Sequence, residues 1–114
     1  MARKQRVICQ SVDLEDGGKG VRFSVERHGQ PSPAFAVRYD GVVRAFLNRC
    51  GHVPVELDWV EGEFFDLSGL YLVCATHGAT YLPESGCCIR GPCAGRALTP
   101  LRIAEVDGKV LLLD

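Results

Sequence analysis

Two short clusters of metal-binding residue types stand out in this chain: Cys50-Gly51-His52 and Cys74-Ala75-Thr76-His77, with residues 53–73 between them. A cysteine and a histidine one or two positions apart can both reach one centre from a single tight loop. Thiolate is a soft donor that stabilises iron and shares a dinuclear site with bridging sulfides. Imidazole is neutral and weaker, so an iron bound by two of them is easier to reduce. Two such loops would give one iron two cysteines and the other two histidines. The same four side chains also suit tetrahedral zinc. The usual zinc spacing, however, groups cysteine with cysteine and histidine with histidine, whereas each cluster here mixes them. A structural zinc-binding β domain therefore stays as the alternative.

Loops of this kind need rigid elements to bring them together. Glycine and proline punctuate the chain every ten residues or so, and no long apolar stretch of helical period appears, which favours short strands. Residues 21–26, 35–39 and 42–47 read as strands. Asp40-Gly41 joins the last two, because Asp-Gly readily supplies the positive φ angles of a type I′ turn. Asp107-Gly108 repeats that logic between 101–106 and 110–113. A further pair, 71–73 and 80–82, brackets the second cluster, and the first cluster follows the strand that ends at Leu47. Residues 54–65 hold either a short helical turn or an irregular loop. The expected fold is all-β: a small antiparallel sandwich or barrel with the metal-binding loops at one end.

The composition narrows the function. The chain has 114 residues, one domain's worth, and a net charge of −1, so no basic field draws in nucleic acid. The basic start Arg3-Lys4-Gln5-Arg6 reads as a solvated, frayed terminus. No apolar run approaches the ~20 residues that cross a bilayer, and Gln10, Asp13, Glu15 and Asp16 interrupt any signal-like segment. A cytoplasmic protein is expected, with no membrane partner. In that compartment six cysteines argue for metal or redox chemistry before disulfides.

Cys50-x-His52 with Cys74-x-x-His77, followed by Gly78, resembles the signature of the Rieske family. The run from Gly91 through Pro92, Cys93 and Gly95 to Pro100 resembles the segment that closes over the cluster in that family. In size and strand pattern the chain is similar to free-standing Rieske ferredoxins of ring-hydroxylating oxygenase systems. The resemblance implies one [2Fe–2S] cluster per chain, held by Cys50, His52, Cys74 and His77, in a single domain spanning 1–114. It also implies an electron carrier rather than an enzyme. A flavin-dependent reductase would be the donor, and a terminal oxygenase or another redox protein the acceptor. A redox or iron sensor would use the same residues. High-potential relatives brace the two loops with a disulfide, and Val55 and Thr76 stand at those places. Ala79 replaces their serine donor, and Tyr81 matches their tyrosine, either as a hydroxyl donor to the site or as a core aromatic. A potential in the lower part of the Rieske range follows.

The remaining residues carry plainer expectations. Cys9 reads as a small core residue, and Cys87, Cys88 and Cys93 as free thiols, since a disulfide from Cys87 or Cys88 to Cys93 is geometrically possible but disfavoured by the expected compartment. His28 reads as a surface residue in a turn, and Trp59 as loop or core packing. The acidic and aromatic stretch 58–65 reads as an ornament near a partner surface. One further test bears on catalysis. A complete oxygenase needs a mononuclear iron held by two histidines and a carboxylate. With three histidines in all, two of them committed to the cluster, the chain cannot supply that site.

Overall fold

The computed structural model describes residues 5–27, 29–50, 55–58, 60–76, 78–91 and 96–113, and for Gln5 the backbone only. His28, His52, Trp59, His77 and Cys93 lie outside them. Nine strands are described: β1 (Gln5–Gln10), β2 (Val21–Arg27), β3 (Gln30–Tyr39), β4 (Val42–Leu47), β5 (Leu72–Val73), β6 (Thr80–Tyr81), β7 (Cys88–Arg90), β8 (Ile103–Val106) and β9 (Lys109–Leu113). One 3-10 turn, Ser11–Asp13, follows β1. No helix among the described residues is long and apolar enough to cross a membrane.

The strands form three antiparallel three-stranded sheets, ordered β1-β9-β8, β2-β3-β4 and β5-β6-β7. The all-β expectation holds. Both Asp-Gly turns adopt the expected geometry: Asp40 and Gly41 have φ of 52° and 77°, Asp107 and Gly108 have 51° and 75°.

β3 shows how the layers are built. Ala34, Phe35, Ala36 and Val37 are all fully buried, so this strand is covered on both faces. The small Ala36 joins Leu14, Val43, Ala45 and Val110 in the core between the first two sheets. On the opposite face Phe35 and Val37 join Phe46, Phe64, Leu72 and Tyr81, with Cys50 and Cys74 in the same cluster. Alternating small and large residues along one strand thus separate a tight inter-sheet core from a bulkier one beneath the loops.

Several expectations are corrected. The N-terminal segment is not frayed from residue 5 onward. β1 pairs with β9, and the Arg6 guanidinium donates to Ser24 O while lying 5.9 Å from the Phe23 ring centroid. β3 begins at Gln30, ahead of the expected 35, despite Pro31 and Pro33. Pro33 O accepts from Asn48 N–H, on the β4 side. In a strand the N and C=O of one residue point the same way, so the proline nitrogens face the side where the β4 ladder has not yet begun. The 58–65 stretch is only in part a surface ornament: Val60, Glu61 and Glu63 are exposed, but part of it belongs to the interior. Phe64 stacks on Phe35 with centroids 4.0 Å apart, and Asp58 is buried.

The end of the molecule away from the metal loops is gathered around Arg38. Its Nε donates to Leu14 O (2.9 Å), and its Nη2 to Ser11 O (3.1 Å) and Glu105 Oε2 (2.7 Å). Nη1 reaches Glu105 Oε1 (3.1 Å) and Gly41 O (3.3 Å). One side chain thereby ties the segment after β1, the β3–β4 turn and β8. Arg38, first by hydrogen bonding, lowers the Glu105 carboxyl to about 2.

Candidate metal centre

Cys50 and Cys74 both sit where strands run out. Cys50 comes three residues after β4, and Cys74 directly follows β5. Their loops close alike: Cys50 N–H donates to Val55 O, and Cys74 N–H to Ala79 O, each at 2.8 Å. Each backbone therefore turns back on itself over five residues. Gly78 permits the second reversal, with a φ of 73° and its N–H on Cys74 O at 2.9 Å.

The two sulfurs are brought together. Cys74 is fully buried, Cys50 is 4% exposed, and their side chains hydrogen-bond to each other. The Tyr81 hydroxyl lies 3.2 Å from Cys50 Sγ. Of the two readings offered for Tyr81, the structure therefore supports both: a fully buried aromatic whose hydroxyl faces the site. Burial pushes the Cys74 thiol up, the Thr76 backbone N–H opposes the rise, and the adjacent Cys50 sulfur adds to it. His52 and His77 fall outside the described residues, so the sulfur half of the expected ligand set is what the structure places.

What holds the loops was not read from the sequence. Asn48 is buried beside the first loop. Its Nδ2 donates to Asp58 Oδ1 (3.0 Å), and its Oδ1 accepts from Leu57 N–H (2.8 Å). The other Asp58 oxygen accepts from Gly62 N–H (3.0 Å) and lies 3.6 Å from Arg22 Nε. Leu57 O in turn accepts from Ala75 N–H in the second loop (3.0 Å). Leu57 therefore bridges the loops through its backbone. This polar clamp ties the two loops to each other. An asparagine two residues before a candidate ligand was the available signal, but its partner lies ten residues on.

The third sheet shields the site. A Cβ on Gly91, which has a φ of 101°, would come 2.9 Å from the Ala79 Cα, so glycine lets that segment lie directly against the second loop. Cys87 is a free, exposed thiol, as expected. Cys88 is disulfide-bonded, which corrects the expectation of a free thiol; its partner lies outside the described residues. Cys88 N–H donates to Arg96 O (2.8 Å), and this closure shortens the span a disulfide there has to bridge. Cys9 is a free, half-buried thiol packed against the inter-sheet core, and burial, then the nearby Asp13 charge, raises its pKa.

Two adjacent buried sulfurs with a hydroxyl aimed at one of them are a poor apolar core and a good metal-binding half-site. As thiolates they repel each other and need a cation between or beside them. The donor set fits an iron–sulfur core, and the fold that carries it is a small antiparallel β protein with two such loops at one end. The family model for the Rieske [2Fe-2S] domain matches residues 4–106, and the chain belongs to that family. Its cofactor is accordingly a [2Fe–2S] cluster.

The fold is similar to that of solved ferredoxins. Against the Sphingomonas yanoikuyae B1 ferredoxin the TM-score is 0.74 at 21% identity, covering 97% of this chain and 99% of that one. The ferredoxin of carbazole 1,9a-dioxygenase from Nocardioides aromaticivorans IC177 gives 0.71 at 18% identity, with 96% of each chain covered. A complex of reduced oxygenase and oxidized ferredoxin in carbazole 1,9a-dioxygenase gives 0.73 at 22% identity, covering 96% of this chain and 92% of that one. No curated protein sequence matches the chain.

Proposed function

We propose that this chain is a cytoplasmic electron carrier, one domain over residues 1–114, whose single [2Fe–2S] cluster is held by Cys50, His52, Cys74 and His77. The observation that carries the reading is the meeting of Cys50 and Cys74 from two loops of like closure, one residue type of each mixed pair. Bound there, the cluster takes up and releases one electron. The protein's own groups do the rest. The Asn48–Leu57–Ala75 clamp fixes the loops, the Tyr81 hydroxyl faces a sulfur, and fully buried Ala79 packs the second loop against Gly91.

A carrier needs a docking face and no substrate pocket. With His52 and His77 committed to the cluster, His28 cannot by itself build a catalytic iron site. The electron donor is taken to be a flavin-dependent reductase. The acceptor is taken to be a terminal oxygenase or a similar redox protein, in keeping with the ferredoxin–oxygenase complex among the similar folds.

Anaerobic purification tests this reading. The protein should be red-brown, take up one electron per chain, and show a paramagnetic signal only when reduced. A colourless preparation holding one zinc per chain would establish the zinc alternative instead.

A further inference from the structure

Charge is unevenly divided between the two ends. At the end away from the cluster lie Asp13, Glu15, Asp16, Asp40, Glu105 and Asp107, against Lys19, Arg38 and Lys109. Around the metal loops the cations are all arginine. Arg27 and Arg49 flank a groove of about 620 Å³ that Cys50 also lines. Arg90 stands opposite Thr80, two residues after Gly78 of the second loop. Arg96 accepts from Cys88 N–H through its carbonyl beside them.

All four arginine side chains are exposed, and no ion pair among the described residues engages Arg27, Arg49 or Arg90. The nearest carboxylates do not cancel this charge. Glu56 is committed to Arg22 at 2.6 Å, Asp58 is buried, Glu61 adds its charge to the same Arg22, and Glu26 is exposed on β2. Exposed Val55 lines the same groove, and exposed Ile89 precedes Arg90.

Resting on the carrier reading, we propose that the cluster end docks onto an acidic protein surface around the partner's own redox centre, with Arg27, Arg49 and Arg90 making the contacts. Arginine presents a rigid fork of donors that meets carboxylates two bonds at a time, which lysine cannot do. Arginine mixed with a few apolar side chains is also the composition of a protein–protein interface rather than of a nucleic-acid face. The acidic far end turns the molecule in the partner's field, so that the cluster arrives first.

The test uses the sign of a salt effect. The cluster adds no charge to the oxidised protein, since two thiolates and two sulfides balance two ferric ions. The oxidised molecule therefore has the chain's net charge of −1, and the reduced molecule that meets the oxidant is one unit more negative. A trianionic oxidant, hexacyanoferrate(III), takes one electron from each reduced protein and becomes the tetraanion. If net charge governed the encounter, its rate would rise with salt. If the arginine face governs it, the rate should fall by about tenfold between low salt and ~0.15 M ionic strength. The combined Arg27→Gln, Arg49→Gln, Arg90→Gln variant should lose that fall, and an Asp13→Asn, Asp107→Asn control should keep it.

A flat or rising rate in the wild type would overturn the docking proposal while leaving the carrier reading intact. A protein with no visible band and no electron uptake would instead sink the carrier reading, before any oxidant is added. Salt-sensitive self-association in sedimentation, joining the arginine face of one chain to the acidic end of another, would overturn the assignment to a separate partner.

Discussion

The two ends of the molecule use arginine in opposite ways. Arg38, away from the cluster, has every donor direction engaged and pairs bidentately with Glu105. Arg27, Arg49 and Arg90, around the metal loops, engage no carboxylate among the described residues. The first end uses charge to close the fold. The second keeps these three charges on the surface and holds its loops through buried Asn48 and Asp58, with Arg22 paired beside them. The contrast teaches that the stiffness of the metal site comes from desolvated hydrogen bonds, while its surface charge is left for something outside the chain.

Substitutions can break this contrast in a definite order. The largest effect should come from Asn48→Ala, which leaves Leu57 N–H and one Asp58 oxygen buried without partners, at a cost of about 3 kcal/mol. It also parts the two loops, so the visible band should decay faster on exposure to a chelator. Unchanged stability and decay would mean that the clamp is dispensable.

Arg38→Met should cost less, about 2 kcal/mol, because most of its partners can turn to water. Its cost should also depend on pH. Glu105 titrates at about 2 in the folded protein against 4.5 unperturbed, so the pair's contribution is full above 4.5 and is lost as pH falls toward 2. The gap in denaturation midpoint between wild type and variant should narrow through that window. A gap independent of pH would place the cost elsewhere than in the ion pair.

Tyr81→Phe should be the mildest, about 1 kcal/mol, with a reduction potential lower by about 40 mV, because a hydroxyl that donates to a sulfur favours the electron-rich state. A potential that does not move would show that the hydroxyl is turned away from the sulfur once the cluster is bound.

Much of this architecture was legible in the sequence because it rests on local chemistry. Asp40-Gly41 and Asp107-Gly108 set their hairpins through backbone angles that those residue types adopt. The two mixed clusters marked the loops for the same reason. What escaped depended on chain segments meeting in space. β1 finds its partner in β9 at the other end of the chain, and β7 is three residues long. The Asn48–Asp58 pair, the stacking of Phe64 on Phe35 and the closed loop at Cys88 all join positions whose proximity no local pattern announces. The prolines of β3 misled because their harmlessness depends on where the β4 ladder starts.

The ligand set itself is the claim on which the rest stands. Pulsed EPR of the reduced protein, grown with ¹⁵N-histidine, reads it directly. Two histidine nitrogens should couple strongly to the unpaired electron, one of them vanishing in His52→Ala and the other in His77→Ala wherever the cluster survives. A cluster with no coupled histidine nitrogen would contradict the assignment of the two mixed loops to one pair of irons.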